Sequence, residues 1–228
     1  MSADRACVLD EDAELAELVP EVSRGAARQA SVAAALDVPP GRWDARRDAD
    51  RARDGYGLLI LGGVIVRRVG FEGRFGAELL AAGDLLRPWE IDGVDSIGFE
   101  TRWRVLVPTR VAVLDLQWTE RMVRYPRVGP ALAGRALARS RRLTAMMAIA
   151  QHPRLEDRLW MVFWELADRY GRVHADGVHL DLPLTHEVLS YLVAARRPSV
   201  SGALTKLACD GRLLRNGRGW LLAGDPPG

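Results

Sequence analysis

The spacing of apolar residues changes three times along the 228-residue chain. Up to Asp54 it is helical and polar. Asp10 to Val22 repeats Ala13, Ala16, Leu18 and Val22. Gln29 to Leu36 is alanine-rich and stops at Pro39-Pro40-Gly41. Arg42 to Arg53 is a charge run that fits a solvated helix face. From Tyr56 the period shortens, and Tyr56–Leu61, Val64–Val69, Arg74–Leu79 and Arg104–Leu114 are strand-like runs. Gly62-Gly63 and Glu72-Gly73 stand where hairpin turns would fall, so the pattern predicts successive antiparallel hairpins forming a sandwich or barrel-like roll.

Gly129-Pro130 then opens a long helix, since proline suits the first helical turn. Leu132, Ala136, Leu143, Met146 and Ala150 recur at alternating steps of three and four, with Arg139 at one seam position. This stripe predicts a dimerisation seam, the alternative being a helix packed on its own domain. His152-Pro153 breaks the chain direction, and Leu155–Tyr170 is a second helix with Leu159, Val162, Phe163 and Leu166 inward.

The last fifty residues have the most specific order. Val178–Leu182 is a short strand, and Thr185 is placed to cap a helix from His186 to Val193. Ala194-Ala195 connects it to a further helix running from Pro198 to about Ala208. Leu213–Arg215, a turn at Asn216-Gly217-Arg218-Gly219, and Trp220–Leu222 make a small hairpin. Helix, turn, helix, hairpin is the order of a winged helix-turn-helix.

Charge adds to this picture once it is divided. Residues 1–101 carry 12 Arg/Lys against 19 Asp/Glu, whereas residues 102–142 carry 10 against 2. Arg196 to Arg218 carries six positive charges and one negative. A net charge of +2 thus hides an acidic front and two basic clusters, as an anion-binding surface requires. The exposed face of the second helix of the motif offers Arg196, Arg197, Ser199, Ser201, Gly202, Thr205 and Lys206. Short and basic side chains let a helix sit deep in the major groove, where the Arg197 fork suits the two acceptors of a guanine. Thr185 at a helix start and Arg215 and Arg218 on the wing are placed for phosphates. The alternative is an effector-binding or protein-interaction module whose winged helix contacts a partner protein.

These residues resemble the CRP/FNR family of bacterial transcription regulators. The run from Leu184 to Ser201 fits the family's DNA-binding helices without a gap. The pattern from Gly57 to Glu90 is similar to a cyclic-nucleotide-type β-roll, and the helix from Pro130 resembles the dimerisation helix. The resemblance implies an α+β chain: a sensing roll with N-terminal helices over residues 1–128, a dimerisation helix over 129–151, and a winged helix-turn-helix over 152–228. It further implies a cytoplasmic homodimer on a two-fold-related operator in double-stranded DNA, with half-sites about 34 Å apart and with RNA polymerase as a further partner.

The departures are equally informative. Nucleotide-binding members follow the roll's Gly-Asp with Gly-Glu and contact the phosphate through an Arg-Ser or Arg-Thr step. Here Gly83-Asp84-Leu85-Leu86 runs into Arg87-Pro88, Phe99-Glu100-Thr101 stands at the second step, and no Arg-Ser or Arg-Thr pair occurs from Trp89 to Val107. Glu100 would repel a cyclic phosphate, so dependence on cyclic AMP is not expected. The two cysteines, Cys7 and Cys209, are too few for an iron–sulfur member, and all four histidines lie beyond the sensing half, so no cofactor is expected. Any small-molecule effector is unidentified, although Trp89, Phe99 and Trp103 flank the roll's would-be pocket. Where many members carry Glu and Arg on the reading helix, Pro198 and Gly202 stand.

Other chemistry finds little support. His174, Asp176 and His179 do not share a helix face and read as surface residues rather than metal ligands. No GxSxG or phosphate-loop pattern occurs, and nothing argues for an enzyme. The longest apolar stretch, Gly57 to Val66, is about half of what a membrane span needs. The N-terminus lacks the basic start and apolar run of a signal peptide, so a cytosolic protein without membrane partners is expected.

Overall fold

The computed structural model describes residues 4–88 and 98–227. These form two compact units, one of residues 4–67, 79–88 and 98–141 and the other of 68–78 and 142–227. The division falls inside the long helix rather than at its ends.

The first unit begins with β1 (Asp4–Cys7), α1 (Val8–Glu11), α2 (Ala13–Glu17) and α3 (Arg24–Ala30). There follow β2 (Val32–Val38), β3 (Gly41–Trp43), α4 (Ala45–Ala49), β4 (Gly57–Phe71), β5 (Arg74–Ala81), β6 (Leu85–Leu86), β7 (Glu100–Leu114), α5 (Leu116–Met122) and the long α6 (Val128–Ala150). The sheet runs β1-β2-β7-β4-β5, with β3 added on β7 and β6 on β4. Along β4, Leu58 and Ile60 pack with Trp43 and Trp103 on one face, while Leu59 and Leu61 pack with Leu15, Trp118 and Leu132 on the other. Along β7, Val111 and Val113 join the first cluster, Ala112 and Leu114 the second. Period-two alternation thus divides one strand pair between two cores.

Three expectations change here. The alanine-rich stretch does not continue as helix to Leu36. Val32–Val38 pairs antiparallel with both β1 and β7, burying Ala33 and Ala35 on one face, and sheet pairing outweighs alanine's helix propensity. The segment from Asp10 to Val22 is also no single helix. Asp12 interrupts it and caps α2, accepting from the Leu15 N–H at 3.1 Å. Finally, Gly62-Gly63 is not a turn. β4 runs straight through it, and Gly63 takes a φ of 93° where any side chain would collide with Pro108 and Thr109 of β7. Glu72-Gly73 is the turn, with φ of 48° and 78°. The charge run lies where expected. Arg46 and Arg47 face solvent from α4, and Ala45, Ala49 and Ala52 pack inward.

Ion pairs fasten the periphery. Arg110 on β7 donates to Asp4 at 2.9 Å, Asp37 at 2.9 Å and Glu11 at 3.2 Å, and these bonds raise its own pKa and hold the Asp4 carboxyl below the ordinary range. Arg135 of α6 donates to Asp12 at 2.8 Å and to Glu14 at 2.9 Å, tying the first half of α6 to α2.

The burial pattern of α6 also differs from the sequence stripe. Leu132 is completely buried in the first unit's core, and Arg139 donates to the Leu85 carbonyl at 3.3 Å. Leu143, Met146 and Ala150 are half-buried, and Ala136 alone of the five is exposed. The exposed stripe lies one residue further on, at Ala133, Leu137, Ser140, Thr144 and Met147, again at steps of four and three. Leu137 and Met147 are 63% and 70% exposed.

Trp103 lies inside the roll, edge-on to Trp43 with ring centres 5.9 Å apart, and is therefore a core residue rather than a pocket wall. Phe99 is exposed, and Trp89 falls outside the described residues.

Truncating Leu59, which is fully buried between β7 and the N-terminal helices, leaves a cavity in the larger cluster. Leu59→Ala is expected to lower stability by about 2–5 kcal/mol. Val22→Ala, at a side chain 96% exposed, should stay within about 0.5 kcal/mol. Urea denaturation measures both, and equal losses would contradict the assigned core.

Candidate nucleic-acid interface

The second unit carries α7 (Leu155–Tyr170), β8 (Gly171–His174), β9 (Gly177–Leu180), α8 (His186–Leu192), α9 (Arg197–Cys209), β10 (Leu213–Asn216) and β11 (Gly219–Leu222). The four strands form one sheet in the order β10-β11-β9-β8. Strand β8 has no sequence signal of its own. It pairs with β9 across a turn at 175–176, and its side chains are largely exposed.

Helix α9 is built to present one face. Val200, Ala203, Leu204 and Leu207 are buried against α7 and α8, completing a core with Leu159, Trp160, Phe163, Val188 and Leu192. The opposite face leaves Arg197, Ser199, Gly202, Thr205 and Lys206 exposed, with Ser201 half-buried at its edge. A β-carbon on Gly202 would meet nothing within 4 Å, so the helix surface is open there. Arg196, the residue before α9, is extended and exposed, and Pro198 in the first turn needs no amide partner.

The start of α8 is fixed by Thr185, whose Oγ1 accepts from the Val188 N–H at 3.2 Å. Its end is fixed by Arg158 of α7, which donates to the Val193 carbonyl at 2.9 Å. The turn to α9 places Ala194 in the left-handed region at a φ of 49°, and the Ala195 N–H donates to the Ser190 carbonyl at 2.9 Å. Residues 68–78 belong to this unit as well. Arg68 lies over the Tyr191 ring at 4.8 Å and 3.7 Å from Glu187, and Phe75 stands edge-on to Tyr191. Sequence patterning had no means of placing that hairpin tip beside α8.

The basic residues separate into two kinds. Arg197 and Arg218 are exposed, the latter at the Gly217-Arg218 turn of the wing. Lys206 is instead engaged within the unit. Its Nζ donates to Glu156 of α7 at 2.8 Å, which raises the lysine's pKa and lowers the glutamate's. Arg215 stacks on Trp220 at 4.1 Å, which fixes its orientation. On the hairpin, Asn216 donates to His179 Nδ1 at 3.0 Å, and His179 Nε2 donates to Asp176 at 2.8 Å, holding that carboxyl below its ordinary pKa. Asp176 and His179 thus brace the β8–β9 turn against the wing. Among the described residues, no group of three or more His, Cys, Asp or Glu is placed to hold a metal, and no helix is long and apolar enough to cross a membrane.

Replacing the cap tests this geometry. Thr185→Ala should cost about 1 kcal/mol in unfolding experiments, and Thr185→Ser should recover most of it. A cost shared equally by Ser and Ala would remove the cap from the account.

Residues 157–227 match the Crp-like helix-turn-helix domain family. None of the curated proteins matches the chain in sequence. Among solved structures, the chain is similar to the c-di-GMP responsive global regulator CLP of Xanthomonas campestris, with 18% identity over 94% of this chain and 100% of that one at a TM-score of 0.60. FixK2 of Bradyrhizobium japonicum aligns at 17% identity over 84% and 93%, with a TM-score of 0.60. A cyclic nucleotide-binding domain containing protein of Listeria monocytogenes aligns at 12% over 94% and 97%, with a TM-score of 0.67. The antiparallel roll, the long helix and the winged module are therefore the fold of CRP/FNR-type regulators, and residues 157–227 are a Crp-like helix-turn-helix domain.

Proposed function

We propose that this chain is a sequence-specific DNA-binding transcription regulator that acts as a homodimer. The observation that carries the reading is the divided surface of α9. One face is locked into the core, and the other offers Arg197 beside Ser199, Gly202 and Thr205, with nothing bulky in the way. In the major groove Arg197 reads a guanine edge, Ser199, Ser201 and Thr205 supply short polar contacts, and Gly202 permits close approach. Arg196 at the helix start and Arg218 and Arg215 on the wing meet phosphates, as does the helix start that Thr185 caps. Lys206 contributes only when its bond to Glu156 opens.

The partner copy is expected along α6. A second α6 seats on Ala133, Leu137, Ser140, Thr144 and Met147, whose spacing is that of a coiled-coil seam. Such a dimer presents two reading helices to a two-fold-related operator. Regulation independent of cyclic AMP is supported at the second step of the roll, where Phe99-Glu100-Thr101 stands in place of an Arg-Ser or Arg-Thr pair and Glu100 accepts from Arg102 at 2.6 and 2.8 Å.

Selection from a random duplex pool, followed by salt titration, tests the DNA reading. The wild type should enrich a palindrome with half-sites one helical turn apart, and Arg197→Ala should relax one position in each half-site. The slope of log K against log salt should fall by about one for Arg218→Ala and steepen by about one for Glu156→Gln, which frees Lys206. Binding without sequence enrichment, or without salt dependence, would replace this reading with a protein partner.

The seam makes a separate prediction. Leu137→Glu combined with Met147→Glu should convert the dimer to a monomer in sedimentation equilibrium, whereas Val22→Glu should leave it dimeric. A double variant that stays dimeric would move the interface off α6.

A further inference from the structure

One hydrogen bond joins the two helices of the motif through side chains. His186 Nδ1, at the start of α8, lies 2.8 Å from Ser201 Oγ on α9, fifteen residues later. Both side chains are half-buried. The same hydroxyl lies 3.2 Å from the Arg197 carbonyl one turn back along α9. A serine hydroxyl has a single proton and two lone pairs. If that proton goes to the Arg197 carbonyl, the 2.8 Å contact is a bond donated by the imidazole. If it goes to Nδ1, the carbonyl contact is only polar. With either contact holding the proton, it is directed into the protein, and Ser201 is left with a lone pair for a donor outside.

Serine ordinarily serves either side of the major-groove code because its hydroxyl rotates freely between donating and accepting. We infer that His186 is a positioning residue that fixes Ser201 as an acceptor on the reading helix. Ser201 thereby selects a base whose groove edge carries an amino group, adenine or cytosine, over guanine or thymine at one position of each half-site. This rests on the DNA reading above. It adds a residue of α8, and it gives a chemical sign to a contact that sequence alone leaves ambivalent. The pairing depends on short side chains nearby. The helix surface beside Ser201 is open, since a β-carbon on Gly202 would meet nothing within 4 Å, and Thr205 turns its own hydroxyl back to the Ser201 carbonyl at 3.1 Å.

The experiment compares full-length wild type, His186→Ala, His186→Gln, Ser201→Ala and the double variant His186→Ala/Ser201→Ala by selection from a random duplex pool. Competition titrations on the enriched site and its amino-to-keto exchange then quantify the preference. The wild type should favour the amino-bearing base at one position by about fivefold, the scale of one net hydrogen bond. His186→Ala and Ser201→Ala should each lose that preference at the same position, and the double variant should lose nothing more. His186→Gln, whose amide can donate to the hydroxyl, should restore part of it. Circular dichroism melting identifies any variant that fails to fold. If His186→Ala does so, Ser201→Ala and His186→Gln carry the comparison. A wild-type palindrome that keeps the same base preference in every variant overturns the inference and leaves the DNA reading intact. No enrichment by the wild type overturns the DNA reading, and the inference with it.

Discussion

The first unit depends on a strand pair that has no solvent face. Leu58 to Leu61 on β4 and Val111 to Leu114 on β7 are buried on both sides, so each must be matched twice. Inside the roll, Trp43 and Trp103 supply the volume. Outside it, only a layer of helices can cover Leu59, Leu61, Ala112 and Leu114, and that layer is α1 to α3 with α5 and the start of α6. This demand explains why the N-terminal segment is held so firmly. Arg110 gathers the acids of β1, α1 and β2, Arg135 binds α2 to α6, and Trp118 donates from within the layer to the Ser31 carbonyl at 2.9 Å. It also recruits Leu132 inward, so the exposed stripe of α6 lies one residue, or about 100° around the helix, from the stripe that apolar spacing picks out.

How far the sequence was legible follows from the kind of signal each element carries. Helix α7, α8, α9 and the wing were readable because their signals are local: a cap at Thr185, a Pro198 start, turn glycines and apolar steps of three and four. Strand β2 was not, since Val32–Val38 is a strand only because β1 and β7 lie on either side of it. Gly62-Gly63 signals a turn by composition, but the same freedom of backbone serves a strand passing close over Pro108 and Thr109. The apolar stripe of α6 includes Leu132, which the first unit's own core buries, because apolar character alone cannot tell a side chain needed by its own core from one left exposed. Lys206 was assigned to the reading surface by charge, while its partner Glu156 stands fifty residues away.

The second unit reverses the priority of the first. There, burial on one side of α9 matters because of what it leaves on the other. Arg158 of α7, bonded to the end of α8, the left-handed Ala194 and the capped start at Thr185 fix both ends of α8 and the turn into α9. A helix held this way can carry short side chains on its exposed face, since its position does not depend on adaptable contacts.

Short side chains also set how discrimination is divided. Pro198 offers no donor from its ring, and Gly202 offers no side chain, so on the proposed reading direct readout would rest on Arg197, Ser199, Ser201 and Thr205. Two of those hydroxyls have partners within the protein: Ser201 Oγ lies 2.8 Å from His186 Nδ1, and Thr205 donates to the Ser201 carbonyl at 3.1 Å. Fixing a hydroxyl removes the freedom that lets serine and threonine accept many bases, and this offsets part of what a sparse face gives up in specificity. On that reading the remainder would fall to the duplex itself, because close approach over Gly202 would make the fit sensitive to groove width and bending, which vary with sequence at positions no side chain touches.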